Sequence, residues 1–257
     1  MTAATSAEMT GATKVSILML THNAPRYVEI SVRSVVERTV GVDYELVVVD
    51  NASDAETRAL VERLHDAGMI TRLKLMDYNS LFAEGNNVAA ALAAPDATHF
   101  LLLNSDIEVK DPRWLQRLLA VHKRGITSYG VASDPERVDG YCLLIDAELY
   151  RAHPLDEGHQ WWWAVTKQQA VLLNEGVTVQ GYRFHERYLH HFGGKSGSAF
   201  KSARGMNVTR EEVMGWFNGK QPRILDAHRL LPRGRAALLG LLRRVRNGIQ
   251  RLRSATT

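Results

Sequence analysis

A single cysteine, Cys142, stands in the whole chain, so no disulfide can be closed within it. Its flanks, Tyr141-Cys142-Leu143-Leu144-Ile145, are those of a buried structural thiol rather than a nucleophile. No Cys/His cluster has the spacing of a structural zinc site. There is also no uninterrupted apolar run of about 18 residues, which excludes a membrane-spanning helix. Neither Gly-x-Gly-x-x-Gly nor a Walker-type loop follows the first strand-like segment, which argues against a dinucleotide-binding or P-loop protein. Met1 to Thr13 is small and polar with no apolar h-region. It reads as a disordered leader rather than a signal peptide, and the chain is expected in the cytoplasm.

What remains is ordinary for a soluble protein: 257 residues, 45% hydrophobic and 23% charged. That length can bury a substantial core. The formal charge of +4 is unevenly spread, because Arg223 to Arg253 holds nine arginines against one acid, Asp226. The basicity therefore belongs to the C-terminal region, and the rest of the chain is slightly acidic.

Val15-Ser16-Ile17-Leu18-Met19-Leu20 is an apolar run closed by Thr21-His22-Asn23 and Pro25, and reads as a buried strand. The pattern predicts a helix from about Tyr27 to Arg38, with Ile30, Val32, Val35 and Val36 on its apolar face. Glu45 to Asp50 is a second buried strand, and Ser53 or Asp54 can cap a helix from about Ala55 to Ala67. Arg72 to Met76 is a shorter third strand. Gly85-Asn86-Asn87 opens an alanine-rich helix to about Ala94, and His99 to Leu103 is the fourth strand. Such alternation implies a parallel, doubly wound sheet with right-handed crossovers. Three strand ends, at Thr21-His22-Asn23, Asp50 and Asn104-Ser105-Asp106, then share the edge where open α/β sheets bind ligands. An Asp one residue removed from an Asn suits a hard divalent cation that also holds nucleotide phosphates. Taken alone, Asn104 and Asp106 could equally end a strand and turn the chain.

From Val15 to Leu119 the chain resembles the nucleotide-binding half of the family-two, GT-A-fold glycosyltransferases, especially the rhamnosyltransferase-like branch. The matching stretches are Val15 to Asn23, Glu45 to Ser53, Asn79 to Asn87, and Leu101 to Val109 leading to Asp111-Pro112-Arg113-Trp114-Leu115. The resemblance implies an α/β GT-A fold: a Rossmann-like, mostly parallel sheet with helices on both faces, plus a C-terminal helical appendage. It divides the chain into a leader (1–13), a nucleotide-sugar-binding half (14–120), an acceptor-binding half (121–205) and a basic helical appendage (206–257). The implied activity is metal-dependent, inverting transfer from a nucleoside-diphosphate sugar, UDP- or dTDP-linked, to a glycan or lipid-linked acceptor.

Residue by residue, the resemblance implies that Asp50 accepts a hydrogen bond from the imide N–H of uracil or thymine, as an ionised carboxylate can. Thr21, His22 and Asn23 would bracket the base, and Asn87 would lie near the sugar and ribose. Asp106 corresponds to the last acid of the family's Asp-x-Asp motif and would bind Mn²⁺ or Mg²⁺. Asn104 replaces the first acid, with Ser105 between them. Tyr188 to Ser196 resembles the family's His-containing glycine-serine segment, where His191, ahead of His190, would add a metal ligand. Lys195 would neutralise diphosphate charge in a loop closing over it.

The acceptor half departs from the family pattern. Members carry a Phe-Asp-Glu segment and, eight residues later, a Glu-Asp pair whose Asp is the general base. Leu155-Asp156-Glu157 fits the first segment, but Ala164-Val165 stands where the acids belong. Loss of a general base typically removes ~10²–10⁴-fold in rate. The candidate substitutes are Asp156 first, then Glu157, His159 and Asp139. The alternative is a catalytically degenerate homologue that binds a nucleotide-sugar or a partner. A nucleotidyltransferase would need a glycine-rich Arg/Lys loop after the first strand, which Thr21 to Tyr27 does not provide. Trp161-Trp162-Trp163 cannot all face one core, so at least one should be partly exposed. It would serve as a stacking platform for an acceptor, as core packing or as a subunit contact.

From Arg235 to Arg253, Leu238, Leu241, Leu242, Val245, Ile249 and Leu252 recur at helical spacing, with arginines on the remaining face. Such a helix lies among anionic lipid headgroups, docks on its own domain, or forms a dimer contact. Nucleic acid is disfavoured, since aromatic interleaving is absent. A transferase acting on a lipid-linked or envelope glycan, peripheral on the inner face of the cell membrane, would account for both halves of the chain. Deleting residues 233–257 is expected to release the protein from anionic liposomes in a sedimentation assay. Equal binding by the truncated chain would count against a membrane helix.

Overall fold

The computed structural model describes residues 13–183, 185–195 and 203–225. The expected leader, apart from Thr13, and the basic helix at 235–253 lie outside these residues, as does Ser196.

Strand β1 (Lys14–Thr21) is followed by α1 (Pro25–Arg38), β2 (Asp43–Asp50), α2 (Ala55–Asp66), β3 (Arg72–Leu75), α3 (Leu81–Leu92) and β4 (His99–Leu103). Next come β5 (Ile107–Val109), α4 (Trp114–Val121), β6 (Gly125–Tyr129), β7 (Val131–Ser133), β8 (Glu136–Val138) and β9 (Cys142–Asp146). The described residues close with α5 (Ala147–Ala152), α6 (Trp162–Asn174), β10 (Thr178–Tyr182), β11 (Leu189–His191), α7 (Arg210–Phe217) and β12 (Arg223–Leu225).

Eight strands form one sheet in the order β12-β10-β6-β9-β4-β1-β2-β3. All neighbours are parallel except β9, which runs antiparallel to both β4 and β6. Helices pack on both faces. Ile17 and Met19 of β1 join Val32, Val35 and Leu60 in one core layer, while Leu18 joins Val47, Phe100 and Leu102 in the other. Because β1, β2 and β4 are buried on both faces, their sequences read as continuous apolar runs rather than alternating ones. Cys142 is a buried free thiol in β9, and burial pushes its pKa well up.

Two elements differ from the expected ones, each for a reason remote in sequence. On α1 the buried face is Val28, Ser31, Val32, Ser34 and Val35, with Ile30 and Val36 only half-buried. The small serines let β5 approach, and Ser34 Oγ accepts the Val109 N–H at 3.0 Å. Helix α3 begins four residues before Gly85, although Ser80 makes no side-chain cap. Its first free N–H groups, at Phe82 and Ala83, both donate to Gln160 Oε1 at 3.0 Å.

A buried carboxylate holds the start of the sheet. Glu45 Oε1 accepts from Ser16 Oγ (2.6 Å) and the Ala94 N–H (2.6 Å), and Oε2 accepts from Arg72 Nε (2.8 Å). Burial alone would raise its pKa, but these donors outweigh burial and hold it below the ordinary value. Glu45→Ala strands the Ser16 hydroxyl and the Ala94 N–H and is expected to cost roughly 3 kcal/mol in chemical denaturation. Glu45→Gln, which keeps one acceptor oxygen, should cost less.

Candidate functional site

Strand β1 pairs with β2 on one side and β4 on the other, so the crossovers diverge and a crevice opens at the carboxyl ends of the strands. A cavity of about 360 Å³ lies there. Its wall includes Leu20 of β1 and His22 after it, Asn51 after β2, Asn79, Leu81, Phe82 and Asn86 around the start of α3, and Leu102 to Asp106 at the end of β4. The wall is completed by Asp139-Gly140-Tyr141, Trp161, Trp162, Val165, His191 and Gly194. The structure therefore gathers His22, Asn104, Ser105, Asp106, Asp139 and His191 from the expected set into one cavity.

At one end, β5 and β11 pair antiparallel with His191 opposite Ile107, which brings His191 Nε2 to 3.3 Å from Asp106 Oδ1. The Phe192 N–H donates to Asp106 O at 3.0 Å and fixes the register. Successive side chains on a strand alternate faces, so His190 points away, exposed and edge-on to Phe192. His191 stacks on Tyr141 at 4.4 Å between ring centres. The carboxylate and imidazole offer two ligands to a divalent cation, leaving the remaining positions to a phosphate or water.

At the other end, Asn51 is the hub. Its Nδ2 donates to Asn79 Oδ1 (2.8 Å) and Leu81 O (3.1 Å), and its Oδ1 accepts from both the N–H and the hydroxyl of Ser80 (2.7 Å each). His22 Nδ1 lies 2.9 Å from Asn51 O, and a carbonyl only accepts, so Nδ1 carries the proton. Nε2 then accepts from Asn79 Nδ2 at 3.3 Å.

Several expected site residues are placed outside the cavity wall. Thr21 and Asp50 are fully buried beneath it, with Asp50 accepting from Thr21 Oγ1 (3.0 Å) and the Ser53 N–H (3.1 Å). Asn23 instead pins the turn before α2, its Oδ1 accepting the Asp54 N–H at 2.8 Å. Asn87 is a strut: Nδ2 donates to Leu155 O (2.9 Å) and Glu157 Oε1 (3.0 Å), while Oδ1 accepts from Tyr150 Oη (2.9 Å) and the Leu155 N–H (3.1 Å). Lys195 Nζ sits 5.4 Å over the Tyr27 ring.

Of the candidate bases, only Asp139 lines the cavity. Its Oδ1 accepts the Gly140 N–H at 2.8 Å. Val165, at the position of the missing family acid, packs on Gly140, where a Cβ would come within 2.8 Å of the valine side chain. Asp156 is spoken for: Lys167 Nζ and His159 Nδ1 (3.1 Å) both meet Oδ2, and the Gly158 N–H donates to Oδ1 (2.8 Å). Burial would raise its carboxyl pKa, but Lys167 and these donors hold it down at about 2. Glu157 is committed to Asn87, and His159 lies edge-on to Trp216 of α7 at 5.0 Å. The three tryptophans divide: Trp161 and Trp162 line the cavity, Trp162 being 37% exposed, while Trp163 Nε1 donates to Met206 O at 3.1 Å.

Backbone strain concentrates here. Five non-glycine residues with positive φ, namely Asn23, Ala24, Ala52, Leu81 and Trp161, lie in or beside the cavity wall. Such conformations cost of order 1–3 kcal/mol each and persist where surrounding contacts over-determine them. Sequence inspection missed Asn51, Asn79 and Tyr141 as wall residues. The two asparagines sit inside the family-like stretches, which was the available signal.

A doubly wound sheet with a carboxylate–imidazole pair at the carboxyl end of a strand is the arrangement in which open α/β folds bind ligands. Residues 16–141, just under half of the chain, match the family profile described as Glycosyl transferase family 2. The uncharacterized protein y4gI of Sinorhizobium fredii is 30% identical over 121 residues, spanning 45% of this chain and 13% of that protein. Among solved structures, the mannosyltransferase PcManGT of Pyrobaculum calidifontis, in complex with GDP-Man and Mn²⁺, superposes with a TM-score of 0.52 at 19% identity. It covers 63% of this chain and 53% of its own. S. aureus TarS 1–349 with UDP-GlcNAc gives 0.50 at 15% identity, covering 61% and 53%. The chain thus spans about half the length of these structures, and the likeness shows a GT-A fold. Among the described residues no helix is long and apolar enough to cross a membrane.

A carboxyl held below its ordinary value of 3.8 stabilises the fold fully above that value and loses its contribution as pH falls towards about 2. The difference in melting temperature between wild type and Asp156→Asn should therefore shrink over that window. A difference unchanged by acid would contradict the Lys167 pairing.

Proposed function

We propose that the protein is a metal-dependent, inverting glycosyltransferase that moves a sugar from a nucleoside-diphosphate donor, UDP- or dTDP-linked, to a glycan or lipid-linked hydroxyl. The observation that carries this reading is the placement of Asp106, His191 and Asp139 around one cavity at the point where the strand order reverses. Asp106 and His191 supply a hard oxygen and an imidazole nitrogen, a set that fits Mn²⁺ or Mg²⁺. Bound there, the ion would offset charge on the departing diphosphate. His22, Asn51 and Asn79 wall the recess for the base, with Asp50 and Thr21 holding that wall from beneath.

Asp139 acts as general base in this reading. With Oδ1 engaged by the Gly140 N–H, Oδ2 is left to face an acceptor hydroxyl. The acceptor oxygen bonds to the anomeric carbon as the carbon–diphosphate bond breaks on the opposite side, and its proton passes to Asp139. The carboxylate that α6 lacks at Val165 is thus carried by the wall that Val165 touches. Trp161 and Trp162 give an apolar face on which an acceptor ring can stack. The basic segment 235–253 would hold the enzyme at the inner face of the membrane beside a lipid-linked acceptor. A cavity that holds a carboxylate, Asp139, besides the Asp106–His191 pair favours turnover over a binding-only homologue.

Turnover with a panel of nucleotide-sugars and Mn²⁺ tests the reading. Asp139→Asn should lower kcat by ~10²–10⁴-fold with donor affinity near wild type. Asp106→Ala should abolish metal-dependent donor binding. Donor binding without turnover on any acceptor would favour the binding protein, and full activity in Asp139→Asn would remove Asp139 as the base.

A further inference from the structure

At the opposite end of the sheet from the cavity, His99 opens β4, Asp146 closes the antiparallel β9 beside it, and His122 ends α4. One ligand atom from each of these residues lies within 4.8 Å of the others. His122 Nε2 is 3.2 Å from Asp146 Oδ2, and His99 Nε2 is 3.9 Å from Asp146 Oδ1. Bond lengths of about 2.0–2.2 Å in a tetrahedral zinc site place neighbouring ligand atoms about 3.3–3.6 Å apart, between these two separations.

The outer contacts aim both rings inward. Thr98 Oγ1 donates to Lys14 O (2.9 Å), so it meets His99 Nδ1 (2.9 Å) as an acceptor. The His99 proton therefore sits on Nδ1, and the Nε2 lone pair faces the carboxylate. A cation between two such electron-rich atoms, 3.9 Å apart, would satisfy both. His122 Nδ1 meets Thr127 Oγ1 at 2.9 Å, and Gln180 Nε2 holds that hydroxyl at 3.1 Å. Ring nitrogens anchored by such outer partners are the usual setting of metal-binding imidazoles. The three side chains are between 7% and 19% exposed, which leaves a path for an ion.

We propose that His99, His122 and Asp146 form a zinc site, separate from the Asp106–His191 pair, that ties α4 to β4 and β9. Two imidazoles and one carboxylate suit Zn²⁺, with water in the fourth position. The Asp106 end, richer in oxygen once a diphosphate is present, favours harder ions. The assignment does not depend on the glycosyltransferase reading.

The test uses the full, untagged chain, stripped with a chelator and titrated with Zn²⁺. One tightly bound equivalent and a raised melting temperature are expected, and Co²⁺ in its place should give the visible absorption of a four-coordinate ion. His99→Asn and His122→Asn remove Nε2 while their amides can still reach the threonine hydroxyls. Each should weaken Zn²⁺ binding by more than the roughly 10–100-fold that outer-contact changes cost. Asp106→Asn should keep the equivalent. The proposal is overturned if wild type binds no Zn²⁺ and shows no Co²⁺ spectrum, if folded variants bind as wild type does, or if Asp106→Asn alone loses the ion.

Discussion

Strand β1 hydrogen-bonds to β2 on one edge and to β4 on the other, and the rest of the molecule is arranged around that double pairing. The two crossovers must leave in opposite directions, so no helix covers the carboxyl end of β1. Burial on both faces then demands an apolar residue at nearly every position of β1, β2 and β4. Polar chemistry is pushed to the strand ends, at His22, Asn51 and Asn104-Ser105-Asp106. The crevice and its ligands follow from one constraint on hydrogen-bonding direction.

Holding that crevice open requires structure that is locally unfavourable. Leu81 and Trp161 take backbone conformations that bulky residues avoid, and both stand in the wall. The contacts that enforce them come from elsewhere: Asn51 accepts and donates on the Ser80–Leu81 segment, and Gln160 supplies the cap that α3 lacks. Hydrogen bonds made beneath the surface brace the wall. Asp50 and Asn87 belong to that support, which explains why strongly polar residues at promising positions lie outside the wall.

The acceptor side shows how chemistry can move between elements without leaving a cavity. Helix α6 presents Val165 and two tryptophans, while the carboxylate enters from the β8–β9 connection at Asp139. Asp156 and His159 look equally suitable by residue type. Lys167 and α7 claim them for an ion-paired network instead. Polar clusters thus stand at both ends of the sheet, one rich in oxygen and one in imidazole, with the apolar core between them.

The sequence alone determined the buried strands, their alternation with helices and the polar strand ends, because these follow from side-chain character repeated over a few neighbouring residues. It was enough to place His22, Asp106 and His191 in one family-like pattern. Tertiary structure decided which side chains face the cavity. The pairing of β5 with β11 sets His191 against Asp106 and turns His190 outward. Gln160 starts α3 early, and the Asn87 amide is used up by residues 155–157. Asp139 faces the recess, whereas Asp156 is held at about 2 by a lysine from α6. Burial, hydrogen-bond saturation and charge pairing depend on neighbours that only folding brings together, so residue type fixed the candidates and contact chose among them.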